Sequence, residues 1–155
     1  MTDSNAINLK IGMFGGGGVG KTCLTLRYLK GEFSEGYIPT IEDEFAKVVE
    51  VNGKTVSLNV IDTAGQDDFA EMRYGYFAQV QGMIFVFDIS NPCSIDDLRY
   101  MYKDALDYSE ENVLFCAIAA NKAHLREEGR TDLVPVSEYK KLEDEFKCRV
   151  FETSP

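Results

Sequence analysis

The chain has 155 residues, of which 45% are hydrophobic and 27% charged, and its net charge is −10. This length suits one domain with one core, and the acidity, together with the lack of a Lys/Arg cluster, argues against nucleic-acid binding. The first residues, MTDSNAIN, are too polar for a signal peptide, and the longest apolar runs, such as MIFVF at 83–87, are too short to span a bilayer.

Strand and helix patterns alternate along the chain. A glycine-rich turn follows the first strand, and the Asn52-Gly53 pair between the second and third strands is a strong hairpin signal. Two later strands are continuous apolar runs, as expected for strands covered on both faces. The predicted strands are 7–14, 42–51, 55–62, 82–88, 112–119 and 149–152, and the predicted helices are 24–30, about 94–109, and 136–146.

This alternation predicts an α/β fold with helices on both faces of a six-stranded sheet. The hairpin adds one antiparallel strand to an otherwise parallel sheet. In such sheets ligands bind at the carboxyl ends of the strands, and the motifs described below all fall there.

Residues 15–22, GGGGVGKT, match the phosphate-loop pattern G-x-x-x-x-G-K-[ST]. Glycines let successive backbone N–H groups converge on phosphate oxygens, and the following helix adds positive potential at its N-terminus. Lys21 supplies a charge to the outer phosphates, and Thr22 offers a hydroxyl to Mg²⁺. A glycine turn without a ligand is the alternative, which the preceding strand and following helix disfavour.

Two further stretches suit a nucleotide with a terminal phosphate. In DTAGQ at 62–66, Asp62 can hold the hydration shell of Mg²⁺, the Gly65 amide can contact the terminal phosphate, and Gln66 can orient an attacking water. In YIPTIED at 37–43, Thr40 can bind both Mg²⁺ and the terminal phosphate. Both stretches stand beside predicted strands.

With Asn121-Lys122 and the ETS stretch at 152–154, these motifs occur in an order that resembles the small GTPases of the Ras superfamily over residues 7–154. The PTIED stretch and Ile61 before DTAGQ are similar to the Ras branch. The resemblance implies a P-loop NTPase fold and a single G domain over 1–155.

The resemblance also implies roles for individual residues, with Mg²⁺ and GTP or GDP as ligands. Asn121 and Lys122 would brace the phosphate loop and cover the base, and Phe33 would pack against it. Catalysis would use Gln66, Lys21 and Thr40, and Mg²⁺ would be bound by Thr22, Thr40 and, through water, Asp62. The nucleotide-binding set is Gly15, Gly17, Gly18, Val19, Gly20, Lys21, Thr22, Cys23, Phe33, Pro39, Thr40, Gly65, Asn121, Lys122, His124 and Ser154. The effector-binding set is Tyr37, Ile38, Ile41, Glu42 and Asp43.

The implied function is a GTP-dependent switch in signal transduction with slow hydrolysis. Two segments, about 33–43 and 63–76, would order around the γ-phosphate and relax after hydrolysis. Gly17 and Gly18 lack the bulk that blocks hydrolysis in this family, and no intrinsic arginine finger is evident. An activating protein, an exchange factor and an effector are therefore the expected partners. The alternative for Glu42-Asp43 is a solvated acidic turn.

Three features depart from the family pattern. His124 stands where an aspartate accepts two N–H groups of guanine, and a neutral imidazole has one acceptor. Pro155 lacks the backbone N–H expected to reach the guanine carbonyl. The last helix of the family is absent from this chain, either because it is a fragment or because a partner covers that face.

These departures leave a second interpretation open, a pseudo-GTPase interaction module with weak, lost or altered nucleotide selectivity. A third, an ATP-using P-loop kinase, has little support because no lid segment or second substrate site is evident. The histidine could also face solvent while water takes its place. We expect a cytoplasmic protein, with membrane association if a longer chain carries a lipidated tail.

Four cysteines, at 23, 93, 116 and 148, are widely spaced and form no C-x-x-C pair. With a single histidine in the chain, a Cys/His zinc site is not indicated. Two disulfides are arithmetically allowed, but we expect reduced and mostly buried thiols.

Overall fold

A computed structural model describes residues 7–16, 19–20, 23–24, 42–63, 80–108 and 115–154, with the backbone alone for 42–47, 62 and 63. The strands are β1 Ile7–Phe14, β2 Glu42–Val51, β3 Lys54–Thr63, β4 Gly82–Asp88, β5 Phe115–Asn121 and β6 Arg149–Thr153. The helices with defined bounds are α1 Cys93–Tyr108, α2 His124–Glu127 and α3 Ser137–Phe146.

All six strands join one sheet in the order β2-β3-β1-β4-β5-β6. Strand β2 runs antiparallel to β3, and every other neighbouring pair is parallel. At the turn between β2 and β3, Asn52 and Gly53 both have positive φ, 52° and 77°, as a two-residue hairpin turn requires. The predicted fold class, a mostly parallel sheet with one antiparallel strand, is confirmed.

Side chains that alternate along each strand build a separate core on each face of the sheet. On one face Phe14, Phe85 and Phe87 are fully buried, and α1 and α3 cover them through residues such as Leu98 and Phe146. The rings of Phe85 and Phe146 meet edge to face at 6.0 Å between centroids, a favourable aromatic geometry.

The opposite face has a smaller core made of Met13, Val60, Val86 and Ala119. Val19 from the glycine-rich loop belongs to this core, and Leu24, which is helical, packs against it. Helical residues therefore lie on both faces, as predicted. The remainder of the predicted helix 24–30 lies outside the described residues.

Strand β5 differs from its prediction over 112–119. It extends two residues further, to Asn121, because its pairing with β4 continues until Asn121 lies opposite Asp88. A polar asparagine at the end of an apolar run resembles the start of a loop, so the sequence pattern placed the end too early. Residues 112–114 lie outside the described residues.

The charged stretch 126–132 has the composition of a surface loop, but its first two residues are helical. Helix α2 ends within it, and the Arg126 guanidinium donates hydrogen bonds to Glu152 and to the Tyr139 hydroxyl, both at 2.9 Å. The same guanidinium also contacts the Val134 carbonyl oxygen. Arg126 thus ties α2 to α3 and β6, while its side chain stays partly exposed.

All four cysteines are free thiols, as predicted, but none is buried. Cys93 is exposed, and Cys23, Cys116 and Cys148 are partly exposed. No helix within the described ranges combines the length and the apolar character that crossing a membrane requires.

Candidate functional site

The glycine-rich loop begins where β1 ends, and its first residues have no room for a side chain. A Cβ atom added to Gly15 would lie 2.4 Å from the Val86 carbonyl oxygen, and one added to Gly16 would lie 2.5 Å from Asp97 Oδ2. Real Cβ contacts are essentially never this short. At Gly15 the loop backbone is therefore held directly against the β4 backbone, and only glycine permits that approach. At Gly16 the neighbour is the end of the Asp97 side chain on α1.

Gly20 ends the described part of this loop under two constraints. Its φ is +95°, a conformation that side-chain-bearing residues rarely adopt, and an added Cβ would lie 2.4 Å from Asn121 Nδ2. The Gly20 carbonyl then accepts a hydrogen bond from the Leu24 amide at 3.0 Å, an i to i+4 bond typical of a first helical turn. A helix therefore begins immediately after the loop, as anion binding at a helix N-terminus requires.

Asn121, at the carboxyl end of β5, connects three strand ends. Its side chain is 0% exposed. Nδ2 donates to the Val19 carbonyl oxygen at 2.8 Å, and Oδ1 accepts from the Thr153 hydroxyl at 3.1 Å. The Asn121 carbonyl oxygen accepts from the Ile89 amide at 3.2 Å. The amide group thus fixes the glycine-rich loop relative to β5 and β6.

Lys122 follows with a positive φ of 69°, and its Nζ lies 2.8 Å from Asp88 Oδ2. Asp88 is only 6% exposed, and its Oδ1 accepts bonds from the Ser90 amide at 2.8 Å and the Ser90 hydroxyl at 2.6 Å. Burial by itself raises the pKa of Asp88, but the bonds from Lys122 and Ser90 outweigh it, so the net pKa lies below its usual value. The carboxylate is therefore charged at neutral pH and orients Lys122.

The loops after β5 and β6 meet at His124 and Ser154. The Nδ1 atom of His124 lies 2.8 Å from the Ser154 hydroxyl oxygen, and the Ala123 amide donates to the Thr153 carbonyl at 3.0 Å. Both side chains at the His124–Ser154 contact are exposed. The single histidine of the chain is thus held between the two loops and presents its ring to solvent.

The structure brings one part of the predicted site together at the carboxyl ends of β1, β5 and β6. This part consists of Gly15, Val19, Gly20, Asn121, Lys122, His124 and Ser154. Cys23 lies in the helical turn after the loop and is partly exposed. The backbone of Asp62 pairs with Met13 at the end of β1, so it too stands next to the glycine-rich loop.

The other predicted residues lie outside the described residues, as do both switch segments for most of their length. These residues are Gly17, Gly18, Lys21, Thr22, Phe33, Tyr37, Ile38, Pro39, Thr40, Ile41, Gly65, Gln66 and Pro155. Glu42 and Asp43 begin strand β2, opposite Thr63 and Asp62. Their backbone is a strand rather than the acidic turn that the sequence left as an alternative.

Three residues in the site were missed by the sequence reasoning. Asp88 binds Lys122, Thr153 binds Asn121, and Asp97 lies against Gly16. Asp88 had a visible signal, because it is a carboxylate at the end of a buried apolar strand. Asp97 had none, because its approach to Gly16 depends on how α1 packs beside the loop.

The described residues suit a phosphate-bearing ligand. The backbone of the glycine-rich loop packs closely against its protein neighbours at Gly15 and Gly20, and the loop leads into the helical residues Cys23 and Leu24. Within the described ranges no group of three His, Cys, Asp or Glu residues could hold a metal ion. Mg²⁺ usually binds through one or two protein ligands, waters and substrate phosphates, so the predicted hydroxyl ligands Thr22 and Thr40 with Asp62 are a chemically adequate set.

Comparison with known proteins agrees with this geometry. The family model described as "Ras family" matches residues 10–155. The small monomeric GTPase RhbA of Aspergillus fumigatus is 32% identical over 145 residues, which are 94% of this chain and 76% of that protein. Protein ras-1 of Neurospora crassa is 34% identical over 145 residues, covering 94% of this chain and 67% of that protein.

The contact between Gly20 and Asn121 predicts unequal costs for two glycine substitutions. Gly53→Ala is the matched control, because Gly53 has φ +77° but nothing within 4 Å of an added Cβ. We expect Gly53→Ala to lower the free energy of unfolding by about 1 kcal/mol, the cost of the backbone conformation alone. Gly20→Ala should cost about 2–4 kcal/mol, because the added methyl also displaces the Asn121 amide. Urea unfolding of both variants measures this, and equal losses would contradict a tight contact.

The lowered pKa of Asp88 predicts a pH-dependent stability difference. A carboxyl whose pKa is lower in the folded chain stabilises it above the unfolded pKa of about 3.9 and loses that contribution as pH falls below it. Asp88→Asn should therefore cost about 1–3 kcal/mol at pH 7, and the difference from the unsubstituted chain should shrink from about pH 4 downwards. Asp96→Asn is the control, because that side chain is 71% exposed and should change stability by less than about 0.5 kcal/mol. A difference that stays constant down to pH 3 would contradict the assignment.

Proposed function

Because the chain belongs to the Ras family, we propose that it is a GTP-binding molecular switch that hydrolyses GTP slowly and signals by cycling between GTP and GDP. The observation that carries this proposal is the buried bond from Asn121 Nδ2 to the Val19 carbonyl, at 2.8 Å. It joins the loop proposed to bind the base to the loop proposed to bind the phosphates. A nucleotide spanning both would contact a single preorganised surface.

Phosphate binding would be shared between backbone and side chain. The amides of the glycine-rich loop and of the helix start would hold the phosphate oxygens, and Lys21, next after Gly20, would contact the β- and γ-phosphates. Thr22 and Thr40 would hold Mg²⁺ directly and Asp62 through water. The ion, when bound, neutralises charge on the outer phosphates.

Hydrolysis would require little covalent chemistry from the protein. Gln66 would orient the attacking water, and the absence of side chains at Gly17 and Gly18 would leave room for it. Because the sequence supplies no evident arginine finger, we propose that intrinsic turnover is slow and that an activating protein accelerates it. Switching would follow from loss of the γ-phosphate contacts made by Thr40 and the Gly65 amide.

Base selectivity is the point at which this chain would differ from its relatives. One ring nitrogen of His124 is already in contact with the Ser154 hydroxyl. A neutral imidazole carries one proton on its two nitrogens, so His124 offers guanine at most one acceptor. One guanine N–H would then lack a protein partner, at a cost of about 1–3 kcal/mol, which is roughly a 5- to 150-fold loss of affinity.

A second candidate function follows from the contact between His124 and Ser154. If the His124–Ser154 pair closes the base position, the chain would be a pseudo-GTPase interaction module with weak or altered nucleotide selectivity. The packed core and the Arg126 network would still support a rigid binding surface. The two candidates differ in nucleotide affinity and not in fold.

Partner binding is proposed to use the edge of the sheet formed by β2, which stands first in the strand order. Glu42 and Asp43 begin that strand, next to Tyr37, Ile38 and Ile41 in sequence. Their carboxylates would suit an effector with a basic edge strand or groove. An exchange factor is the third proposed partner, and the four free thiols are typical of a cytoplasmic location.

The first test is titration of the purified chain with GTP, GDP and ATP in the presence of Mg²⁺, followed by measurement of phosphate release. We expect GTP and GDP to bind and phosphate to be released slowly. Lys21→Ala is the control and should abolish binding through loss of the phosphate contact. Binding of none of the three nucleotides would remove the switch interpretation and favour the interaction module.

The second test isolates the base contact of His124. ITP lacks the 2-amino group of GTP, so the ratio of GTP to ITP affinity measures recognition of that group. His124→Asp should raise GTP affinity about 5- to 150-fold and raise the GTP/ITP ratio, because a carboxylate can accept both guanine N–H groups.

His124→Asn is the matched control for this measurement. Its amide has nearly the shape of the aspartate carboxylate but offers one acceptor oxygen, so it should not restore selectivity. An unchanged GTP/ITP ratio in His124→Asp would mean that residue 124 does not contact the base.

A further inference from the structure

Two of the four cysteines are neighbours in the fold although 31 residues separate them in the sequence. In the parallel pairing of β5 and β6, Ala117 lies opposite Arg149. Cys116 and Cys148 precede these two residues and stand at the amino ends of the two strands. Neighbouring strands lie about 4.8 Å apart, and a disulfide spans Cα atoms about 4.4–6.8 Å apart.

The two thiols lie on neighbouring strands and are reachable from solvent. The register of β5 and β6 places Cys116 across from Cys148, and both pack against the larger core, as do Tyr102 and Val150. Neither is fully buried. A small oxidant can therefore reach a pair of sulfur atoms that already lie close together.

The contact makes the two sulfurs chemically unequal. Hydrogen bonding from Cys148 favours the Cys116 thiolate more than burial disfavours it, and lowers the pKa of Cys116 to about 7. The same contact raises the pKa of Cys148, as do burial and the charges of Cys116 and Glu143. Tyr102 faces the pair, and burial and both sulfurs raise its pKa, so it stays neutral. Cys116 is therefore the nucleophile at neutral pH, and Cys148 keeps its proton.

We propose that Cys116 and Cys148 form a reversible redox-modification site, which hydroperoxides convert to an intramolecular disulfide between the amino ends of β5 and β6. This site includes none of the residues proposed to bind nucleotide. It lies at the opposite end of these strands from Asn121 and Ser154.

The reaction has two balanced steps when hydrogen peroxide is the oxidant. The Cys116 thiolate attacks one peroxide oxygen, the O–O bond breaks, and the departing hydroxide takes up a proton to become water, leaving a sulfenic acid on Cys116. The Cys148 sulfur then attacks the Cys116 sulfur, the S–O bond breaks, and the departing hydroxide takes the Cys148 proton as a second water. Two thiols lose two electrons to the peroxide, and a small-molecule thiol reverses the change by exchange.

The disulfide would act on stability by closing a loop that contains α2 and α3. Such a closure restricts the unfolded chain and stabilises the folded one. For a chain of this size we expect the Tm to rise by about 5–10 °C. Addition of dithiothreitol should return the Tm to its starting value.

The experiment treats the full chain with a small excess of hydrogen peroxide and then maps the cysteines by mass spectrometry. The expected result is the loss of two free thiols, a linked peptide pair containing Cys116 and Cys148, and the reversible rise in Tm. No variant is needed for this step, so misfolding of a substituted chain cannot obscure the answer. Retention of all four thiols, or a link through Cys23 or Cys93, would overturn the proposal.

Three variants assign the two roles. Cys148→Ser should leave a sulfenic acid on Cys116 that dimedone traps, and Cys116→Ser should give neither a trapped sulfenic acid at 148 nor a disulfide. Cys93→Ser is the control, because its removal should leave the Cys116–Cys148 disulfide unchanged. Dimedone labelling of Cys148 in the Cys116→Ser chain, at the rate seen for Cys116, would contradict the assigned nucleophile.

Discussion

The hydrogen bond from the buried Asn121 amide to the Val19 carbonyl is the constraint on which the site depends. Asn121 is fully buried and therefore must satisfy its polar atoms within the protein. It does so by donating to the glycine-rich loop and accepting from Thr153. Replacing it with an apolar residue would leave the Val19 carbonyl and the Thr153 hydroxyl without these partners, at about 1–3 kcal/mol for the buried carbonyl and less for the partly buried hydroxyl. The positions of three loops follow from one side chain.

The same hydrogen bond requires a glycine at position 20. The Asn121 amide can reach Val19 only by passing within 2.4 Å of where a Cβ of residue 20 would stand. Gly15 and Gly16 pack against different neighbours, which are the β4 backbone and the Asp97 carboxylate. A glycine-rich phosphate loop thus has two separable requirements, the curvature that presents amides to a ligand and the close packing that holds the curved backbone in place. The sequence motif predicts the first, and only the packed structure reveals the second.

Much of the fold was predictable because its determinants are local. The alternation along β1, the Asn52-Gly53 turn and the apolar run of β4 each specify an element from a few neighbouring residues, and these elements have the predicted type and nearly the predicted bounds. The motifs also predicted which loops would meet at the carboxyl ends of the strands.

The predictions that failed depend on contacts distant in sequence. The end of β5 is set by its pairing with β4, Arg126 is held by hydrogen bonds to Tyr139 and Glu152, and Asp88 acquires its role only when Lys122 lies 2.8 Å away. His124 also depends on a contact distant in sequence, because it meets Ser154 across two loops 30 residues apart. Its role in base recognition stays a prediction.

The two ends of β5 and β6 differ in chemistry for a physical reason. At the carboxyl ends, Asn121 bonds to Thr153 and to Val19 of the glycine-rich loop, and Ser154 contacts His124, so this geometry resists change unless several bonds break together. At the amino ends, Cys116 and Cys148 lie on neighbouring strands at the margin of the apolar core. A disulfide can form between these two thiols with little rearrangement, because the sulfurs need only close the remaining distance. A crosslink there restrains the spacing of the two strands without altering any hydrogen bond at the other end. Because the strands are continuous from Cys116 to Asn121 and from Arg149 to Thr153, a restraint at the amino ends acts on the same two elements that carry the proposed base-recognition residues.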